Sequence, residues 1–372
     1  MFGERLKLAR KRAGLSLRDL EERLNRKVSA QAIGKYERGD MMPGSPVLIA
    51  LARVLEVSIG YLLSPMQARL DGVEFRKKSG TTAKDRALVE TEVLEQVERY
   101  LMIEDILELD SACWNNPLPD HQRLIISDVA ACETLAEQVR EQWSLGLDPI
   151  PNLTQLLEQH GIKVLLLPLP AGVYGLTCLV HRPERDAVPC IVVNRATTLE
   201  RRRLTLAHEL GHRLIDDASP IGAEAAAKHF ASAFLMPAVS VRQDFGNHRH
   251  AISPPELMPV KRGYRVSAAA LLVRCERLGI LSRSALAYAF QTFARGWRMA
   301  EPEPLELPGQ VGPLEAPERF EQLCYRALAE GLIGLPKAAE LLRQPVDVIA
   351  AAIEGPGTAN AGSAYEREKI VR

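Results

Sequence analysis

Residues 205–215 read Thr-Leu-Ala-His-Glu-Leu-Gly-His-Arg-Leu-Ile. His208 and His212 stand four apart, so on a helix both imidazoles lie on one face, one turn from each other. That spacing lets two ring nitrogens bind one zinc ion at about 2.0–2.1 Å. Glu209 follows the first histidine and projects beside the metal, where a carboxylate serves as general base toward the attacking water. Gly211 leaves room beside the metal, and the apolar flanks of the segment suit a helix whose back is buried.

A catalytic zinc takes a third protein ligand and keeps one position open. Asp216, Asp217, Glu224 and His229 are the candidates downstream. The two aspartates sit on or just past the same helix, too close in sequence to fold back onto the ion. Glu224 opens a second helix that must return antiparallel to bury Phe230 and Phe234. His229, five residues on, is about 140° round that helix from Glu224, so the two do not face one metal together. Chemistry alone favours Glu224, with N-terminal helix-dipole pairing as the simpler role for its carboxylate.

The elements that must hold these residues follow from periodicity and breakers. A strand-like run, Pro-Cys-Ile-Val-Val-Asn, precedes a helix over 199–215, with Thr197 and Glu200 as its expected capping box. Earlier runs, Ile-Lys-Val-Leu-Leu-Leu-Pro and Gly-Leu-Thr-Cys-Leu-Val, read as further strands, after helical stretches at 124–145 and 153–160. A helix over 223–235 ends at Met236-Pro237, and helical pattern continues to about 295. His248 and His250 flank Arg249 in a polar loop and read as solvated residues. At the N-terminus, Ser16 and Ser29 are expected to cap two helices, the second closed by Gly39. A short turn followed by a basic helix is the pattern of a helix-turn-helix. Residues 82–109 read as one long acid-rich helix, taken as a solvated linker with a packing stripe, or alternatively as a dimerisation helix.

Composition bounds the rest. The 372 residues are 47% hydrophobic and 25% charged, which suits two or three folded domains and excludes wholesale disorder. Net charge is zero, but residues 1–64 hold twelve Lys/Arg against seven Asp/Glu, so that segment is at +5 and the remainder at −5. A basic N-terminal module points to a polyanion partner. Six scattered cysteines without a Cys-x-x-Cys pair fit reduced thiols. No apolar leader opens the chain, and the longest uncharged run, 164–180, is broken by Pro and Gly. A cytoplasmic protein with no membrane partner is expected.

The sequence Arg-Arg-Arg-Leu-Thr-Leu-Ala-His-Glu-Leu-Gly-His-Arg-Leu-Ile, followed by a Glu and then Phe-Ala-Ser-Ala-Phe-Leu-Met-Pro, resembles the ImmA/IrrE family of zinc metallopeptidases. The likeness runs from about 121 to 290 and implies a zincin-like fold with Zn²⁺ held by His208, His212 and Glu224, and Glu209 as the catalytic base. Ala226 and Lys228 stand where the family often has Glu/Gln and Asn/Asp. The N-terminal segment is similar to the Cro/repressor-type helix-turn-helix called Xre. That likeness implies double-stranded operator DNA as partner, with Ser29, Gln31, Lys35 and Arg38 facing it. Here Leu17 replaces a frequent glutamine, Glu21 takes a position usually held by alanine, and Asn25-Arg26-Lys27 lengthens the turn.

The expected fold class is mostly α, with a small α+β peptidase domain, an all-α helix-turn-helix and a small C-terminal helical unit. The expected divisions are a helix-turn-helix domain at 1–66, a helical linker at 67–120, a peptidase domain at 121–297 and a Pro-rich linker at 298–315. A helical unit at 316–354, with protein binding as its default role, and a disordered tail at 355–372 complete the chain. The resemblances imply a DNA-binding regulator whose zinc endopeptidase cleaves a specific repressor or related protein, working as a homodimer. The rival expectation is a non-enzymatic DNA-binding repressor that uses the zinc-site fold as a sensor or interaction platform.

Overall fold

The computed structural model describes residues 2–63, 69–71, 83–109, 114–118, 122–170, 172–182, 185–312 and 314–354. Cys113 and the expected tail at 355–372 lie outside the described residues. The chain divides into two compact units, one of Met1–Pro65, Glu98–Asp110 and Glu318–Arg372, the other of Met66–Val97 and Ser111–Pro317. The described residues are mostly helical, with one small sheet, as the hydrophobic patterning requires.

In the first unit, α1 (Phe2–Arg12), α2 (Leu17–Arg23), α3 (Ala30–Arg38), α4 (Ser45–Val54) and α5 (Ile59–Leu63) enclose Leu6, Leu20, Ile33, Leu51 and Leu62. Ser16 caps α2 in a complete capping box with Asp19, and Ser29 caps α3 through the amide of Ala32. Gly39 closes α3 at φ 80°. Gly3 lets α1 cross the end of α3 at backbone contact, since a Cβ there would lie 2.4 Å from the Glu37 carbonyl oxygen. Arg10 fastens the same crossing by donating to both carboxylate oxygens of Glu37.

Helix α6 (Ala83–Ile106) corrects the expectation of a solvated linker. Val93, Val97, Tyr100, Ile103 and even Glu104 are buried. Acid content suggested a wet helix, but Glu98 is spent on the buried Arg5, whose guanidinium also lies 4.9 Å from the Tyr61 ring centroid. Tyr100, Ile103 and Leu107 share a core with α15 (Arg319–Ala329), α16 (Leu335–Leu342) and α17 (Val346–Glu354). The C-terminal helices therefore belong to the same compact unit as the N-terminal helices.

The second unit is built on a four-stranded sheet of order β1-β3-β4-β2. Its strands are β1 (Arg69–Asp71), β2 (Lys163–Leu167), β3 (Gly175–Arg182) and β4 (Arg185–Asn194). β3 and β4 form an antiparallel hairpin, and β2 runs parallel to β4 with Leu165 opposite Val192. Strand β4 is buried from Val188 to Asn194, as a central strand covered on both faces must be. Helices α7 (Val129–Gln142), α8 (Leu153–Gln159), α9 (Leu199–Leu214) and α10 (Ala223–Leu235) pack their apolar sides into this core. Helices α11 (Ala238–Phe245), α12 (Pro254–Tyr264), α13 (Ala268–Arg277) and α14 (Arg283–Gln291) extend it.

Two local expectations are corrected. The helix expected from Leu124 begins only at Val129, because Asp128 caps it and Leu124 instead exchanges backbone hydrogen bonds with Leu214 and Asp216. The cap of α9 is Thr198, which accepts from the Arg201 amide, while the Thr197 hydroxyl donates to the Asn194 carbonyl. No helix among the described residues is long and apolar enough to cross a membrane.

Candidate functional site

Helix α9 carries His208, Glu209 and His212, and the chain turns through residues 215–222 into α10, which has Glu224 in its first turn. The antiparallel return is tight. A Cβ on Gly211 would meet Ala227 Cα at 3.1 Å and Phe230 Cδ1 at 3.1 Å, so glycine is what lets α10 lie directly on α9. This differs from the expectation that Gly211 makes room beside a metal: the room is used by the partner helix. Its consequence is to bring the first turn of α10 over the two histidines.

The resulting geometry is compact. Glu224 Oε2 lies 3.6 Å from His208 Nε2 and 3.7 Å from His212 Nε2. One ligand atom from each residue falls within 4.8 Å of the others. A tetrahedral ion with ligands at about 2.0–2.1 Å has ligand–ligand edges of about 3.4 Å, close to the two short distances. Two imidazole nitrogens and one carboxylate oxygen are also a donor set suited to zinc, so the residues present fit that ion. Their rings stand edge to face, centroids 4.8 Å apart, and Glu209 is buried in the same turn as His208. The Glu224 side chain is 52% exposed, which leaves the centre reachable from solvent.

The other candidates are engaged elsewhere. Asp217 accepts from both terminal nitrogens of Arg123, and that hydrogen bonding holds its carboxyl below the ordinary aspartate value. The backbone amide of Asp216 donates to Leu124, and one of its carboxylate oxygens accepts from Ala218. His229 is half-buried on another side of α10, where burial first and then the charge of Arg277 lower its proton affinity. His248 and His250 are exposed.

Several supporting residues escaped sequence reasoning. Lys228, noted only as a departure from the family pattern, pairs with Glu224 Oε1 at 3.1 Å one helical turn away. Arg202 and Arg203, in the first half of α9, are buried and paired with Glu306 and Glu315. Burial pulls the Arg203 pKa down, and the Glu315 carboxylate works against that shift. Lys261 is buried with Glu200 at 2.8 Å and Glu301 at 3.2 Å. Residues 298–312 and Glu315, within the stretch read as a Pro-rich linker, thus belong to the second unit, with three carboxylates matched to its buried cations. The legible signal was three consecutive arginines in a helix otherwise patterned for burial.

In the first unit, Ser29, Gln31, Lys35 and Arg38 are all exposed on or next to α3. The Ser29 hydroxyl accepts from Ala32 as a cap, and Arg38 pairs with Asp40 at 2.9 Å on the surface. Glu21 has a structural explanation, since its carboxylate accepts from the Ala30 amide at 3.1 Å and caps α3 a second time.

Residues 157–276 match a peptidase family model described as the IrrE N-terminal-like domain, and residues 6–62 match a helix-turn-helix model. An HTH-type transcriptional regulatory protein of Pyrococcus abyssi is 30% identical over 163 residues. The match takes in 44% of this chain and 47% of that relative, so the chain spans about half the length of the curated relative it matches. The chain thus joins a helix-turn-helix segment to a segment similar to a metallopeptidase domain.

Proposed function

We propose that this chain is a DNA-binding transcription regulator with a zinc-dependent endopeptidase site, acting on a specific repressor or related regulatory protein. The observation that carries the reading is the approach of Glu224 Oε2 to within 3.6 and 3.7 Å of the two histidine Nε2 atoms. His208, His212 and Glu224 hold the ion. When bound, zinc supplies Lewis acidity for a peptide carbonyl and lowers the pKa of water. Glu209 takes the proton of the attacking water as its oxygen adds to the carbonyl carbon. It returns that proton to the amide nitrogen as the C–N bond breaks. The helix-turn-helix recognises double-stranded DNA, with Gln31 toward base edges and Lys35 and Arg38 toward phosphates. DNA binding brings the site to a substrate at a promoter, and paired half-sites call for a homodimer.

The test is Glu209→Gln, co-expressed with a repressor encoded beside this chain. About one zinc per chain with cleavage reduced at least about 100-fold supports the mechanism. Undiminished cleavage by the variant defeats it. Zinc bound by the wild type with no cleavage of any neighbouring regulator favours the sensor or platform reading instead.

A further inference from the structure

The turn between α2 and α3 is longer than the resemblance leads one to expect, and it is not loose. Asn25 and Arg26 both occupy the left-handed region, at φ 53° and 58°. The backbone amides of Asn25, Arg26 and Lys27 donate to Glu22, Glu21 and Leu24, and Val28 is buried behind them. Asparagine tolerates that conformation, but arginine gains nothing from it, and glycine would make the same turn without strain. Arg26 and Lys27 are exposed, and neither side chain has a hydrogen-bond or ion-pair partner among the described residues. A rigid, strained backbone here holds two unengaged cations just ahead of the cap of α3.

We infer that Arg26 and Lys27 form a second phosphate-contacting point, holding one DNA strand while Lys35 and Arg38 hold the other. This rests on the DNA-binding reading and extends it to residues outside α3. Nine residues of α3 span about 13 Å at 1.5 Å each, close to the roughly 12 Å width of the major groove. Cations before the first turn and in the last turn of that helix therefore meet phosphates on opposite walls, with Gln31 between them. A preformed turn loses little freedom on binding, which is the advantage that offsets its backbone strain.

The test uses the full chain, loaded with zinc, and a fluorescent mixed-sequence DNA duplex titrated at several salt concentrations. Arg26→Gly with Lys27→Ala removes both charges while easing the turn, so misfolding is not the expected outcome; circular dichroism and thermal unfolding check it. The slope of log affinity against log salt should fall by about 1.8, and affinity near 0.1 M salt by about 10- to 100-fold. Arg26→Lys with Lys27→Arg should restore the slope, because phosphate contacts are read as charge. A folded charge-removed variant with the wild-type slope overturns the inference. If that happens while Lys35→Ala with Arg38→Ala lowers the slope, DNA binding stands and only this contact point falls. If wild type binds no duplex at 50 mM salt, the DNA reading itself fails and this inference goes with it.

Discussion

Glu224 uses its two carboxylate oxygens differently: Oε1 lies 3.1 Å from Lys228 Nζ, and Oε2 lies 3.6 Å from His208 Nε2. The lysine lies one turn along the same helix and turns the carboxylate toward the histidines. Both partners are more than half exposed, and a surface pair at this spacing is worth only about 0.3–0.5 kcal/mol. Lys228→Ala should therefore change zinc affinity by about threefold or less, below the 10- to 100-fold typical of buried outer-shell partners. On the proposed site, Glu224→Ala takes away one of three ligands and should weaken zinc at least about 100-fold, with competition against a fluorescent chelator as the measurement. Equal zinc affinity in Glu224→Ala and wild type would remove Glu224 from the site.

Gly211→Ala tests how the centre is assembled. Alanine gains about 1 kcal/mol of helix propensity. It also drives a methyl into Ala227 Cα and Phe230, at 3.1 Å each, and the first is backbone that cannot move without α10. Overpacking costs about 1–3 kcal/mol, so the variant should be net destabilised by up to about 2 kcal/mol. Zinc should bind less tightly because Glu224 rides on the displaced helix. Unchanged unfolding and unchanged zinc affinity would show that the helices have slack.

The helix-turn-helix caps, the helix that carries His208 and His212, and strands β2, β3 and β4 were legible because each is encoded locally. Ser16, Ser29 and Gly39 are cap residues at cap positions, and His208 and His212 differ by one helical turn. What escaped is non-local. Nothing within residues 298–315 says that Glu306 and Glu315 will meet Arg202 and Arg203, more than 100 positions away. Proline and acid in that stretch instead have the composition of a solvated linker. The same error in kind made α6 look wet, since its acidic residues were counted without the partners that bury them.

The buried pairs give a boundary prediction. Glu315 pairs with Arg203, and its two oxygens also accept from the amides of Leu153 and Thr154 at the start of α8. Removing one member of a buried pair costs about 3–5 kcal/mol, because the other charge is left without compensation. Glu315→Ala should lower stability by about that amount in urea unfolding. In a chain cut after 297 the second unit should fail to fold, whereas in one cut after 317 that unit should keep its cooperative unfolding, since only the helices of the first unit are removed. Equal stability of the two fragments would reduce the 298–315 segment to a tether.

His160 supplies a pH prediction. Its ring stacks on Trp143 with centroids 4.1 Å apart, and burial lowers its proton affinity below the ordinary value near 6.5. The folded state thus prefers the neutral ring. The stabilisation is fully present above the unfolded pKa and is lost as pH falls through the lowered folded value. His160→Phe keeps the stacking and removes the titration, so its midpoint should fall less than wild type's between pH 7.5 and 5.5. Identical pH dependence in thermal unfolding of the two proteins would exclude this residue as a source of acid sensitivity.

Glu21 gives the counterpart to the cationic turn. Its carboxylate accepts from Ala30 at 3.1 Å and so places a negative charge at the end of α3 whose dipole favours anions. As a cap it stabilises the helix; as a charge it repels a phosphate approaching the same end. Glu21→Gln retains an accepting oxygen and removes the charge. Helix stability should fall by under about 1 kcal/mol, while affinity for a mixed-sequence duplex at 0.1 M salt should rise by about 3- to 10-fold, one charge's worth of screened Coulomb energy. Weaker binding by a folded Glu21→Gln protein would mean that the cap sets the angle of α3 against DNA, and that this orientation outweighs the charge.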